Sequence, residues 1–108
     1  MAEIFTVGAS LLDAIVLSVV AKEETYGYKI TQDIRTVMNV SESTLYPVLR
    51  RLQKEQCLLI YDKEFAGRNR RYYQVTHQGT QKLQEYEKEW RQFKRRIDTI
   101  FCGGIENG

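Results

Sequence analysis

Between Ser41 and Glu55, the apolar residues recur at the spacing of one buried face of a helix, and the start of this helix is well defined. Ser41 is a favoured N-cap residue, and Glu42 places a negative charge in the first turn, where it suits the helix dipole. The inward face consists of residues spaced i, i+3, i+4 and i+7, namely Leu45, Val48, Leu49 and Leu52. Pro47 lies in the second turn and predicts a local distortion there, because proline has no backbone N–H to donate.

The chain that follows this helix has the pattern of a β-hairpin. Two runs rich in leucine, isoleucine, tyrosine and valine, residues 58–61 and 71–75, flank a turn at Gly67. Residues 62–65 extend the first run toward that turn. A helix followed at once by a hairpin leaves few ways of building one small core. The segment from Ser41 to Val75 therefore constrains the fold more than any other part of the sequence.

Two further helices are predicted upstream of this segment. The first covers about residues 10–22, and only Asp13 and Ser18 interrupt its broad apolar stripe. A helix this apolar is expected to be buried on more than one side. The second runs from about Tyr26 to Met38 and reaches the third helix through a short connector at residues 39–40. Its expected inward positions are Tyr28, Ile30, Ile34 and Val37.

A long final helix is predicted from about Thr76 to Phe101. Its apolar residues are spaced 3, 4, 3, 4 and 3 apart, as in a heptad seam: Leu83, Tyr86, Trp90, Phe93, Ile97 and Ile100. A chain this small has no other element that could cover the whole seam. We therefore expect the seam to pack against a second copy of the chain, with Leu11 and Ile15 of the first helix in the same interface. We divide the single compact unit into residues 1–75, which hold the three helices and the hairpin, and residues 76–108, which hold the helix expected to mediate dimerisation.

Composition narrows the class of protein. The 108 residues carry a formal net charge of only +2, so the placement of basic residues, rather than their number, must decide whether nucleic acid is bound. Cys57 and Cys102 form no metal-binding pattern and are expected to be a core thiol and a tail thiol in a reducing compartment. The short apolar run at residues 14–21 predicts neither export nor a membrane span, so a cytoplasmic protein is expected. No motif of an enzyme, metal site or cofactor site is present, so no catalytic residue, metal or cofactor is expected.

The order helix, helix, helix, hairpin predicts a mainly α winged helix-turn-helix with a two-stranded β-wing, followed by the long C-terminal helix. The third helix would enter the major groove of DNA with its N-terminal hydroxyl groups near base edges, and Arg50 and Lys54 would reach phosphates. The wing tip gathers three arginines that can lie along the backbone or enter a narrow minor groove. The candidate DNA-contacting residues are Tyr26, Ser43, Thr44, Tyr46, Pro47, Arg50, Lys54, Arg68, Arg70 and Arg71.

Four segments resemble the characteristic motifs of PadR-family transcriptional regulators. They are YGYKI at 26–30, SESTLYPVLRRL at 41–52, GRNRRYY at 67–73 and VTHQG at 75–79. The resemblance extends over nearly the whole chain, and the short C-terminus is similar to the compact, LmrR-like subfamily with a single C-terminal helix. It also accounts for Pro47, which the family keeps in its recognition helix. Gln56 and Cys57 depart from the family, which usually has glycine here, so the end of the recognition helix is left open.

The resemblance implies a homodimer that binds an inverted-repeat operator on double-stranded DNA and usually represses transcription. It further implies that a small aromatic inducer binds at the centre of the dimer, against a tryptophan of the last helix. Trp90 is similar in position to that tryptophan, with Phe93, Val16 and Phe5 as candidate neighbours. The alternative is that Trp90 only packs in the dimer core, as a tryptophan on a heptad seam ordinarily does.

A second class of function fits the same fold. The chain could be a winged-helix module that binds another protein and no DNA, with the seam of the last helix docking a partner helix. A monomer that gives no gel shift would favour this alternative.

Overall fold

A computed structural model describes residues 8–103 and contains four helices and three strands in this part of the chain. The elements are α1 (Ala9–Lys22), β1 (Thr25–Tyr26), α2 (Gly27–Arg35), α3 (Glu42–Lys54), β2 (Leu58–Phe65), β3 (Arg68–Val75) and α4 (His77–Phe101). The predicted mainly helical winged fold is confirmed. Phe5, one of the candidate ligand neighbours, lies outside the described residues.

The sheet has one strand more than the predicted wing. Its order is β1-β3-β2, and both pairings are antiparallel. In the pairing of β1 with β3, Thr25 lies opposite Tyr73 and Tyr26 lies opposite Tyr72. Thr25, which the sequence placed in a loop, and Tyr26, which it placed at the start of α2, are therefore both in a strand. Two residues are too few to show the alternation by which a strand is recognised in a sequence.

The prediction for α2 was wrong at its ends. The helix begins at Gly27 and stops at Arg35, and Ile30 and Ile34 are buried as expected. Tyr28 and Val37 are not inward: their exposed fractions are 58% and 74%. Val37 lies beyond the helix, where the helical spacing that assigned it no longer applies, and Tyr28 faces the groove described below.

Side chains cap the N-termini of α3 and α4, the two helices that flank the hairpin in the chain. The hydroxyl of Ser41 accepts a hydrogen bond from the backbone N–H of Thr44, as its N-cap position predicts. The hydroxyl of Thr76 accepts from the N–H of Gly79 at 2.9 Å and donates to the carbonyl of Gln56 at 2.7 Å. The start of α4 is thereby tied to the end of α3.

The structure defines the end of α3, which the sequence left open. α3 stops at Lys54, and Gln56 has a φ of 63°, in the left-handed region that glycine adopts at low cost. This is the position where the family resemblance leads us to expect glycine. Gln56 therefore adopts the left-handed backbone conformation that glycine usually adopts after a helix, although a residue with a Cβ atom is strained in it.

One core is shared by α1, α2, α3 and the inner face of the sheet. Its fully buried side chains include Leu17, Ile30, Ile34, Leu45 and Leu52, and the predicted inward stripe of α3 is confirmed. Cys57 belongs to this core and Cys102 is exposed, as expected from their positions. Burial raises the pKa of the Cys57 thiol, because the thiolate would lose its hydration.

α4 packs on this core only with its first half. Leu83 and Tyr86 lie against the core, whereas exposed fractions of 45% for Trp90, 48% for Phe93 and 76% for Ile100 leave these three residues of the predicted seam open to solvent. Between residues 8 and 103, no helix combines the length and the apolar character needed to cross a membrane.

Candidate nucleic-acid interface

The outer face of α3 is polar because its inner face is held by the core. Leu45, Val48, Leu49 and Leu52 point inward, so the side chains between them are turned outward by the helical period. All candidate DNA-contacting residues of α3 are exposed, as their predicted role requires: Ser43, Thr44, Tyr46, Pro47, Arg50 and Lys54. The helix continues through Pro47 to Lys54, although proline cannot donate to the carbonyl one turn earlier.

The hydroxyl groups at the start of α3 form a small cluster. The Oγ of Ser41 lies 3.0 Å from the Oγ of Ser43 and 3.1 Å from the Oγ1 of Thr44. Each hydroxyl has a second lone pair, so the cluster orients Ser43 and Thr44 without exhausting their hydrogen-bonding capacity.

The wing is β2 and β3 with a two-residue turn. Ala66 and Gly67 have φ values of 53° and 80°, the left-handed pair of a type I′ turn, whose twist matches that of the strands. The register pairs Phe65 with Arg68 and Lys63 with Arg70. The turn therefore presents Arg68 at the tip and the next two arginines just below it.

A groove of about 900 Å³ separates the recognition helix from the wing. One wall is formed by Tyr46, Arg50 and Gln53 of α3, and the opposite wall by Arg70 and Arg71 of β3. Tyr26 and Tyr28 close one end, where β1 leads into α2. The structure thus brings together five of the predicted DNA-contacting residues, Tyr26, Tyr46, Arg50, Arg70 and Arg71. Ser43, Thr44, Pro47, Lys54 and Arg68 lie on the exposed surface outside this groove.

The cations of this surface lack carboxylate partners. Four ion pairs occur among residues 8–103, and they involve Lys29, Arg51, Lys63 and Lys82. In that part of the chain, no carboxylate lies within 4.0 Å of the candidate DNA-contacting cations, which are Arg50, Lys54, Arg68, Arg70 and Arg71. The positive charge of α3 and the wing is therefore available to an anion, as phosphate binding requires.

Comparison with known proteins decides the family. The model of the transcriptional regulator PadR-like family matches residues 16–85, which include α3 and the whole wing.

The chain belongs to the PadR-like family of transcriptional regulators. It is 33% identical over 78 residues to the transcriptional regulator Rv3488 of Mycobacterium tuberculosis, covering 71% of this chain and 73% of that protein. The crystal structure of smu.1704 from Streptococcus mutans is 40% identical with a TM-score of 0.87, covering 94% of this chain and 95% of the other. The Bacillus subtilis PadR complex with operator DNA shares the fold at 23% identity and a TM-score of 0.65, covering 73% of this chain and 48% of that one. The prediction of a regulator rather than an enzyme is confirmed.

This PadR-family chain has a second, apolar groove of about 350 Å³ between α1 and α4. Leu11 and Ile15 form one side and Leu83, Tyr86 and Trp90 the other, so five predicted interface residues meet here. Phe93 lies beyond the groove with its ring 6.3 Å from that of Trp90, and Ile97 and Ile100 continue along α4. Val16 is fully buried in the core and does not line the groove.

Sequence reasoning missed several residues of the groove between α3 and the wing. Gln53 follows Arg50 by three positions and Tyr46 by seven, so helical spacing alone could have placed it on this face. Glu42 also lines the groove and adds one negative charge to it. Tyr73 forms part of the floor, and burial raises its pKa, so this phenol remains neutral.

Proposed function

We propose that this regulator works as a homodimer that binds an inverted-repeat operator and represses transcription. The observation that carries the proposal is the groove between α3 and the wing. Its walls carry Tyr46 together with Arg50, Arg70 and Arg71, and these arginines have no carboxylate partner in the described chain. The operator complex of the Bacillus subtilis PadR structure supports DNA as the ligand of this fold.

The exposed face of α3 and the wing suit different tasks. The hydroxyl groups of Ser43, Thr44 and Tyr46 can donate to and accept from base edges in the major groove, which makes α3 the source of sequence preference. Arg50 and Lys54 lie further along the helix and would meet phosphates. The wing arginines would add affinity that depends on salt and little on sequence.

The second copy is proposed because the seam of α4 is uncovered in one chain. Trp90 and Phe93 expose about half of their surface, and Leu11 and Ile15 border the same apolar groove. Burial of apolar surface is favourable by roughly 25 cal/mol for each Å² removed from water. Packing against the same seam of a second chain would therefore stabilise these aromatic side chains. Two recognition helices would then face half-sites about one turn of DNA apart.

A small aromatic inducer is the remaining part of the proposal. The groove between α1 and α4 is lined almost wholly by apolar side chains and opens beside Trp90, while Glu87 provides a negative charge at its edge. A flat aromatic cation fits this combination of surface and charge. Its binding would change the spacing of the two recognition helices if it favours one arrangement of the dimer.

DNA binding is tested with a labelled duplex of the DNA upstream of the gene and a random duplex of equal length. Arg70→Ala and Arg71→Ala should each weaken binding to both duplexes and lower the salt slope by about one. Tyr46→Ala should instead reduce the preference for the upstream duplex. Unchanged salt slopes would contradict the wing assignment, and equal losses on both duplexes would contradict a readout role for Tyr46.

The dimer and the inducer need separate measurements. Sizing by light scattering should give twice the chain mass, and a monomer that gives no gel shift would favour the protein-binding alternative. Trp90 is the single tryptophan, so its fluorescence reports on the apolar groove. Proflavine, a planar aromatic cation, should quench it saturably and should compete with the upstream duplex. Quenching that rises linearly, as for free tryptophan, would remove the inducer from the proposal.

A further inference from the structure

The guanidinium of Arg70 lies between two aromatic rings. Its Cζ atom is 4.5 Å from the ring centroid of Tyr26 and 4.5 Å from that of Phe65. β3 is the central strand, so Tyr26 comes from β1 on one side and Phe65 from β2 on the other. Both rings are diagonal neighbours of Arg70 on the same face of the sheet, because Tyr26 pairs with Tyr72 and Phe65 pairs with Arg68.

One side of this arrangement is firmly anchored. The ring of Tyr26 packs edge-on against Tyr72 at 5.6 Å, and Tyr72 stacks on Tyr61 at 5.9 Å. The hydroxyl of Tyr61 donates to the carboxylate of Glu24 in the turn after α1. Tyr26 is therefore held by a row of rings, whereas Phe65 stands at the wing tip with 52% of its surface exposed.

Ring contacts orient a guanidinium without using its donors. An ion pair would fix Arg70 too, but it would occupy the N–H groups and cancel the charge. That is the situation of Lys63, whose Nζ lies 3.6 Å from the Glu24 carboxylate. Arg70 has no carboxylate within 4.0 Å among residues 8–103, and stacking leaves the five in-plane N–H donors of a guanidinium free.

We propose that Tyr26 and Phe65 are positioning residues for DNA binding, which hold the guanidinium of Arg70 ready to meet a phosphate group of the DNA backbone. This inference rests on the proposed DNA-binding function. It changes the predicted role of Tyr26 from a direct contact to a support, and it gives a role to Phe65. Since an arginine held in place loses less freedom on binding, loss of one ring should weaken binding by roughly fivefold.

The test is a double-mutant cycle on a labelled random-sequence duplex, because a phosphate contact needs no operator. Phe65→Leu should weaken binding about fivefold while leaving the salt slope unchanged, because the phosphate contact is still made. Phe65→Tyr, which keeps a ring, should bind within about twofold of the parent. Arg70→Ala should weaken binding and lower the salt slope by about one, and adding Phe65→Leu to it should cause no further loss.

Three results would overturn the inference, and they differ from one another. If Phe65→Leu binds like the parent, the ring positions nothing. If Phe65→Leu costs the same with and without Arg70, then Phe65 contacts DNA by itself, for example as a wedge between bases. If the parent chain binds no duplex at all, the proposed function fails as well. Tyr26→Phe, which keeps the ring, and Tyr26→Leu, which removes it, repeat the comparison from the other side. Thermal melting shows that each variant compared is folded.

Discussion

Arg51 of the recognition helix donates a hydrogen bond to the carboxylate of Asp13, which is buried on α1. The side chain of Asp13 is 9% exposed and that of Arg51 is 40% exposed, so the two partners are placed unequally. The pair joins α3, which carries the predicted base contacts, to the helix that lines the apolar groove. The pair is therefore a direct side-chain contact between α1 and α3.

The unequal burial predicts an unequal response to mutation. Arg51→Met strands a buried carboxylate and should lower the free energy of unfolding by about 2 kcal/mol. Asp13→Asn leaves a neutral acceptor and an arginine that can reach water, and should cost about 1 kcal/mol or less. Urea unfolding at one protein concentration measures both.

A solvent-exposed pair provides the control for this comparison. Lys29 and Asp33 lie 3.2 Å apart, and both side chains are about two-fifths exposed. Lys29→Met should therefore change stability by less than about 0.5 kcal/mol. If Asp13→Asn is as costly as Arg51→Met, the burial of Asp13 is not what makes the pair important.

Gly79 is required where α4 passes the start of β2. A Cβ atom there would overlap the backbone carbonyl of Cys57 and lie 2.8 Å from the Cγ2 of Val75. In an ordinary helix, alanine in place of glycine stabilises by about 1 kcal/mol, whereas here overpacking should make Gly79→Ala destabilising by about 1–3 kcal/mol. Gly8→Ala, where a Cβ meets nothing within 4 Å, should have little effect. Thermal melting of both variants checks this, and a stabilised Gly79→Ala protein would show that the contact relaxes.

Gln56 provides the opposite case, a non-glycine residue where glycine fits. Its φ of 63° strains a residue with a Cβ by roughly 1 kcal/mol, so Gln56→Gly should raise the free energy of unfolding by about that amount or slightly less. Gln84, which is exposed in the middle of α4, is the matched control. Gln84→Gly should lower stability by about 1 kcal/mol. A decrease in both variants would mean that Gln56 is not strained.

The parts of the fold that were predictable from sequence have a repeated local pattern. α1, α3, α4 and the hairpin each repeat a spacing over two or more turns or several alternations, and Ser41 marks a helix start by its own chemistry. β1 is too short for any period. Tyr28 was assigned inward by helical spacing, but it lies in the first turn, where the helix faces the groove rather than the core.

The parts of the site that were not predictable depend on residues far apart in the chain. Asp13 and Arg51 are separated by 38 positions, and nothing in either local sequence indicates the other. The rings around Arg70 meet only because β3 lies between β1 and β2 in one particular register. The helical period predicts which residues of α3 are exposed. The tertiary structure is needed to tell which of the cations lack a carboxylate partner.

Glu24 and Tyr61 should titrate away from their ordinary ranges because they share a hydrogen bond. The Tyr61 hydroxyl, which donates to Glu24, lowers the pKa of that carboxyl below 4.5, and nearby Lys63 acts in the same direction. The same hydrogen bond raises the pKa of Tyr61 to about 12. Glu24→Gln removes the charged acceptor, so the pKa of Tyr61 should fall back toward 10.0.

The two shifts set two different pH windows for the stability that this contact adds. A carboxyl whose pKa is lowered on folding contributes above its unfolded pKa, and its contribution is lost as the pH falls through the lowered value. A phenol whose pKa is raised contributes below its unfolded pKa, and its contribution is lost as the pH rises from 10.0 toward about 12. The Tm difference between the parent and Glu24→Gln should therefore be largest near neutral pH and shrink in both directions. Glu23→Gln, which removes the adjacent exposed carboxyl, is the matched control. A Tm difference that stays constant from acid to alkaline pH would contradict the hydrogen bond as its source.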